Sequence, residues 1–118
     1  MEVYKPEDID ERVIEKAIVR NIKNFIMTFV RDFAYIGNQY HLEIFGEELF
    51  PDLLFLNREL NCMVVVELKK GAFKPSYIGQ WQTYMKVLDD KVRKPHENPT
   101  IGILLCKSAN KAFVEYVI

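Results

Sequence analysis

Asp52, Glu67 and Lys69 are the residues of this 118-residue chain whose types and spacing could do chemistry together. Pro51-Asp52 leads into Leu53, Leu54, Phe55 and Leu56, while Glu67-Leu68-Lys69 follows Met63, Val64, Val65 and Val66. Both segments read as core strands of a hairpin closed by the polar turn Asn57-Arg58-Glu59. Side chains alternate faces along a strand, so Glu67 and Lys69 share one face and Leu68 enters the opposite layer. Asp52 adds a second carboxylate from the neighbouring strand. Two carboxylates, with the backbone carbonyl of the residue between Glu67 and Lys69, form an all-oxygen cup of the kind Mg²⁺ prefers, with positions left for water and phosphate. The ammonium of Lys69 could then orient an attacking water or offset phosphate charge. A strand start followed by a solvated edge would show the same three residues. Against that reading, Glu67 continues a run typical of a strand buried on both faces. A charge there is costly unless it is paired or bound to something.

The elements that must position these groups follow in chain order. Residues 7–33 read as one amphipathic helix, capped by Asp8 or Asp10, with Val13, Ala17 or Ile18, Ile22, Phe25 or Ile26, and Phe29 as its apolar stripe. Glu11 and Glu15 lie one turn apart beside that stripe, and one of them could complete a metal site if the helix crosses the sheet. Gly37-Asn38 reads as a break before a half-buried strand at 39–45, in which Tyr40, Leu42 and Ile44 alternate with Gln39, His41 and Glu43. The turn at Gly46-Glu47-Glu48 should pair it antiparallel with the strand beginning at Pro51-Asp52. With no second histidine nearby, His41 reads as a solvated or hydrogen-bonded residue. Gly71 and Pro75 bracket a connection, and Ser76 is placed to cap a helix reaching to about Asp90, with Ile78, Trp81, Met85 and Leu88 buried. Gln80 and Tyr84 project together one turn apart. Residues 94–100 read as a loop, and 101–106 as an apolar strand parallel to the one that carries Glu67, because a helix separates them. A last strand is expected at 113–118.

Composition bounds the rest. With 49% hydrophobic residues, the chain fits one domain with a real core. No apolar run is long enough for a bilayer and residues 1–11 do not look like a signal peptide, so a cytoplasmic protein without membrane contact is expected. Cys62 and Cys106 lie in apolar strand-like runs and read as buried thiols, not as a disulfide or zinc site. Net charge is −1, yet residues 1–67 hold seven Lys/Arg against thirteen Asp/Glu, and residues 68–118 hold nine against four. The basic half starts at the motif and could face phosphates, or could be a solvated surface without a partner. The chain stops without a polar tail, which suggests a piece cut at the edge of a larger protein.

The order helix, three antiparallel strands, helix, strand, with Pro51-Asp52 and Glu67-Leu68-Lys69 on the second and third strands, resembles the PD-(D/E)XK nuclease superfamily. Gln80 and Tyr84 look like the QxxxY motif of its exonuclease-like branch. The runs LDDKVRKPHENPTIGILLCK and VEY resemble the C-terminal nuclease domain of the bacterial YhcG-like family, over nearly the whole chain. That resemblance implies a restriction-endonuclease-like αβββαβ core, a mixed central sheet flanked by helices, here with an extra C-terminal strand. It implies metal ligands at Asp52, Glu67 and the Leu68 carbonyl, with Glu15 or Glu11 as a further acidic ligand from the first helix. Lys69 would position or activate the water, and Gln80 and Tyr84 would steady that lysine or the phosphate. The implied activity is Mg²⁺-dependent hydrolysis of phosphodiester bonds, most naturally in DNA, with Mn²⁺ able to substitute. Relatives of this kind usually carry a helical N-terminal domain that is absent here. The rival expectation is a nucleic-acid-binding or assembly module that keeps the fold without the chemistry, although such a module has no need of two carboxylates facing a phosphate backbone. A homodimer formed through Trp81 or the 114–118 edge is compatible with either.

Overall fold

The computed structural model describes residues 11–108, 110 and 112–114, with side chains from Lys16 onward apart from that of Phe29. Helix α1, Glu11–Phe29, belongs to one compact unit that ends at Arg31, and the second unit begins at Asp32. Within α1 the more buried stripe is Val19, Ile22 and Ile26, while Ile18 and Phe25 are exposed. Val30 closes the last turn by donating to the Ile26 carbonyl. Asp32 then adopts φ 68°, a left-handed conformation that aspartate tolerates better than most residues. The helix therefore stops short of the expected residue 33. Among the described residues no helix is long and apolar enough to cross a membrane.

From Phe33 the second unit is built on a four-stranded mixed sheet. It contains β1 (Phe33–Asn38), β4 (Leu53–Asn57), β5 (Cys62–Ala72) and β6 (Asn98–Ser108), in the spatial order β1-β4-β5-β6. Between β1 and β4 the chain makes a separate two-stranded hairpin of β2 (Leu42–Ile44) and β3 (Glu47–Leu49). The strand expected at 39–45 is thus a correction. Its first part is the left-handed residue Gln39, its last is the turn residue Phe45, and the true partner of β4 is β1. The reason is tertiary: Phe33 and Tyr35 of β1 meet the buried ring of Phe55 edge-on at 5.6 and 5.9 Å. Gly37-Asn38 does not break the chain but lies in β1, beyond a register shift after Tyr35.

The hairpin of β4 and β5 forms as its sequence predicts, with Leu54 opposite Val65 and Leu56 opposite Met63. Asn57 closes it with its side-chain oxygen, which accepts from the backbone N–H groups of Glu59 (3.1 Å) and Leu60 (2.8 Å). Helix α2, Ser76–Lys91, then crosses over to β6, which runs parallel to β5. Ser76 does not cap this helix. Pro75 holds the cap position without a side-chain hydrogen bond, so Ser76 is the first helical residue. Its buried residues are Tyr84, Val87 and Leu88, which pack with Leu42, Leu54, Met63 and Val65. Trp81 and Met85 sit to one side over Gly102 of β6, so the buried face is rotated from the one expected. The strand β6 starts at Asn98, earlier than expected, and its Pro99 is tolerated because β6 is the sheet's edge. Cys62 is buried, but Cys106 is only half-buried. Phe113 and Val114 are helical where a last strand was expected, and 115–118 lie outside the described residues.

Candidate active site

Alternation along β4 and β5 fixes which side chains meet over α2. Leu54, Leu56, Met63 and Val65 point to that face, and counting by twos from them adds Asp52, Glu67 and Lys69. The structure brings these three together with Gln80 and Tyr84. Each carboxylate accepts a backbone N–H from the other's segment: the Asp52 N–H donates to Glu67 Oε1 at 2.7 Å, and the Leu68 N–H donates to Asp52 Oδ2 at 2.8 Å. Glu67 is buried, 4% exposed, and Asp52 is half-buried. The other oxygen of each carboxylate is engaged as well. Gln39 Nε2 donates to Asp52 Oδ1 at 2.9 Å, and Lys69 Nζ lies 3.8 Å from Glu67 Oε2.

Burial raises both carboxyls above their ordinary range. Glu67 is pushed up to about 7, first by desolvation and then by the charge of Asp52, with Lys69 offsetting only part. Asp52 is raised by desolvation, against the lowering effect of its bonds to Leu68 and Gln39 and of the Lys69 charge. The one ammonium of Lys69 does not neutralise both carboxylates.

Lys69 is connected outward to α2. Its Nζ donates to Gln80 Oε1 at 2.5 Å, and Gln80 Nε2 donates to the Tyr84 hydroxyl at 2.9 Å. Because Tyr84 accepts from the amide nitrogen, the amide oxygen of Gln80 must face the lysine. Tyr84 is pushed up to about 12 by burial and by the nearby Glu67 and Asp52 charges, so its phenol stays protonated at neutral pH. The ring of Tyr77, one turn before Gln80, lies 5.0 Å from Lys69 Nζ.

Two members of this cluster escape sequence reasoning. Gln39, thirteen residues before Asp52, gives no sequence signal, because it reaches the site through backbone bonds that pin Gln39 and Tyr40 to Asp52 and Pro51. Tyr77 does leave a trace: it continues the Gln80 and Tyr84 stripe by one further turn. The side chains of Glu11 and Glu15 lie outside those described. A second group able to hold a cation lies on the small hairpin. His41, Glu43 and Glu48 are all exposed and place their ligand atoms within 4.8 Å of one another. The His41 ring stacks on Phe50, with 5.1 Å between ring centres, and its Nε2 is 3.5 Å from Glu48.

A site of paired carboxylates, an ammonium and an amide–phenol relay at one end of a mixed sheet can be compared with known proteins. The family model described as "YhcG PDDEXK nuclease domain" matches residues 2–118. The Escherichia coli (strain K12) protein "Putative nuclease YhcG" is 32% identical over 112 residues, which is 95% of this chain and 30% of that protein. Among solved structures, a repair endonuclease from Pyrococcus abyssi superimposes with a TM-score of 0.55 at 20% identity, over 98% of this chain and 46% of its own. The protein in a complex titled EndoMS–dsDNA2 gives 0.60 at 18%, over 99% and 46%. Those two likenesses carry the fold. The chain spans about a third of its curated relative and under half of its structural neighbours. With the family model matched over residues 2–118 and a curated relative at 32% identity, the chain belongs to the YhcG family of PDDEXK nuclease domains.

Proposed function

We propose that this domain hydrolyses phosphodiester bonds in DNA with a divalent cation, Mg²⁺ by preference and Mn²⁺ as a substitute, held by Asp52, Glu67 and the Leu68 carbonyl. The observation that carries the reading is the convergence of two mutually anchored, partly desolvated carboxylates beside one clamped ammonium. Their donor set suits a hard cation, and the charge left uncompensated between Asp52 and Glu67 is what such a cation would offset. The Leu68 carbonyl fits the same role. Continued past the pair Leu53 and Val66, the ladder would set Pro51 opposite Leu68, and proline has no N–H to occupy that oxygen.

When bound, the cation would polarise the phosphate and lower the charge that an attacking water must approach. The protein's own groups do the positioning. Asp52 and Glu67 are already oriented by backbone N–H groups, so binding asks for little rearrangement. Lys69, fixed by Gln80, offers its remaining N–H groups to the phosphate oxygens or to the attacking water. Tyr84 keeps Gln80 in the orientation that makes this possible. Lys69, Lys70 and Lys74 begin the basic half of the chain and supply phosphate contacts.

The test is calorimetric titration of Mn²⁺ into the wild-type domain and into Asp52→Ala and Glu67→Ala, with plasmid nicking measured on the same samples. Binding and nicking should be present in the wild type and lost in both variants. Equal, weak uptake by all three proteins without nicking would refute the assignment.

A further inference from the structure

We infer that Tyr77 is a positioning residue for Lys69, holding the ammonium against its ring while the carboxylate beside it is occupied by the cation. This deepens the nuclease reading and rests on it. Lysine is a point charge on a flexible four-carbon stem, so its direction comes entirely from what surrounds the head group. Among the described residues, Lys69 Nζ has Glu67 Oε2 at 3.8 Å, Gln80 Oε1, and the Tyr77 ring with its centre 5.0 Å away. The first of these is the one a metal would claim. A cation held by Glu67 would draw on that carboxylate's charge and repel the ammonium, leaving Gln80 and the ring to direct it.

An aromatic face is suited to the remaining role. It attracts an ammonium through its quadrupole and competes poorly for a hard divalent ion. The backbone that carries the ring is anchored. Tyr77 sits in the first turn of α2 with its backbone N–H bonded to the Lys74 carbonyl at 3.0 Å, and it lies on the same helix stripe as Gln80 and Tyr84. Lys74 Nζ approaches the same ring at 6.0 Å. The one ring thus faces two cations at the site.

The test separates the contact from its use. In domain labelled with ¹³C-lysine, the Lys69 Cε protons, assigned by their loss in Lys69→Ala, should be shifted upfield by the ring current in wild type and Tyr77→Phe. In Tyr77→Leu they should return to ordinary lysine positions. In Mn²⁺-dependent plasmid nicking, Tyr77→Leu should lower kcat about tenfold with KM unchanged, the scale of one partly exposed cation–π contact. Tyr77→Phe should recover most of that loss, and Tyr77→Leu should cause no further loss in a Lys69→Ala background. An unshifted Lys69 in the wild type overturns the inference. So does a Tyr77→Leu defect that appears in KM or persists without Lys69, since the ring would then act on the substrate itself. A wild-type domain that shows the upfield shift but never nicks would instead refute the nuclease reading and leave the contact standing.

Discussion

Replacing Glu67 by Gln should make the metal-free protein more stable at pH 8 and remove its response to divalent ions. Glu67 is 4% exposed and its carboxyl is pushed from 4.5 to about 7 in the folded protein. A raised carboxyl favours the fold while both states are protonated. That contribution is complete below about pH 4.5, the unfolded value, and declines as pH rises toward the folded value near 7. Above that, the ionised side chain lowers stability by roughly 3 kcal/mol relative to its neutral form. Glutamine keeps the acceptor for the Asp52 N–H, but its amide N–H₂ takes the place of the Glu67 Oε2 that faces Lys69 at 3.8 Å and sets donor against donor, which offsets part of the gain. A net gain of about 1–2 kcal/mol remains, or about 5–10 °C in Tm for a domain of this size. The assay is thermal and urea unfolding of wild type and Glu67→Gln at pH 5, 6.5 and 8 in chelator, then in Mn²⁺. The gain should be small at pH 5 and full at pH 8. A hundredfold excess of Mn²⁺ over Kd should stabilise only the wild type, by about 2.7 kcal/mol, and reverse the order. A variant less stable than wild type at pH 8 in chelator would refute the reasoning, because Glu67 would then be a satisfied structural group.

Apparent Mn²⁺ affinity should fall about tenfold per pH unit below pH 7, because Glu67, raised to about 7, must lose its proton to bind. Calorimetry showing a flat profile from pH 5.5 to 8 would contradict that. Gly102→Ala should destabilise by about 2–3 kcal/mol in urea, since a β-carbon there would collide with the Trp81 indole and come within 2.8 Å of Met85 Sδ. Nicking should weaken too, because Trp81 adjoins Gln80. Unchanged stability would mean that the indole leaves Gly102 without loss. Phe45→Asn should stabilise by about 0.5–1 kcal/mol, because Phe45 is 98% exposed and holds φ 50° beside Gly46 at φ 78° in a two-residue hairpin turn. A loss of stability on thermal unfolding would show that the phenyl ring is packed.

How far the sequence could be read depended on how local each cause was. The hairpin of β4 and β5 was legible because it joins two apolar runs of strand length through a polar turn. The parallel pairing of β6 followed from the intervening helix. Strand β1 was not legible. Phe33, Tyr35 and Ile36 can serve a helix end as well as a strand, and the ring of Phe55 and the left-handed conformation of Asp32 decide between them. Periodicity also misjudged α2, in which Trp81 and Met85 flank the buried face because Gly102 leaves space for them there.

By itself the sequence determined the identities and faces of Asp52, Glu67, Lys69, Gln80 and Tyr84, because two-residue alternation on a strand and four-residue spacing on a helix are properties of the backbone alone. Tertiary structure decided how these groups act on one another. The burial that raises Glu67, the exchange of backbone hydrogen bonds between Asp52 and the Glu67-Leu68 segment, and the seating of Gln39 and Tyr77 beside them all join residues eight to sixteen positions apart. Desolvation and charge coupling depend on what surrounds a group in space, and no spacing along the chain encodes that.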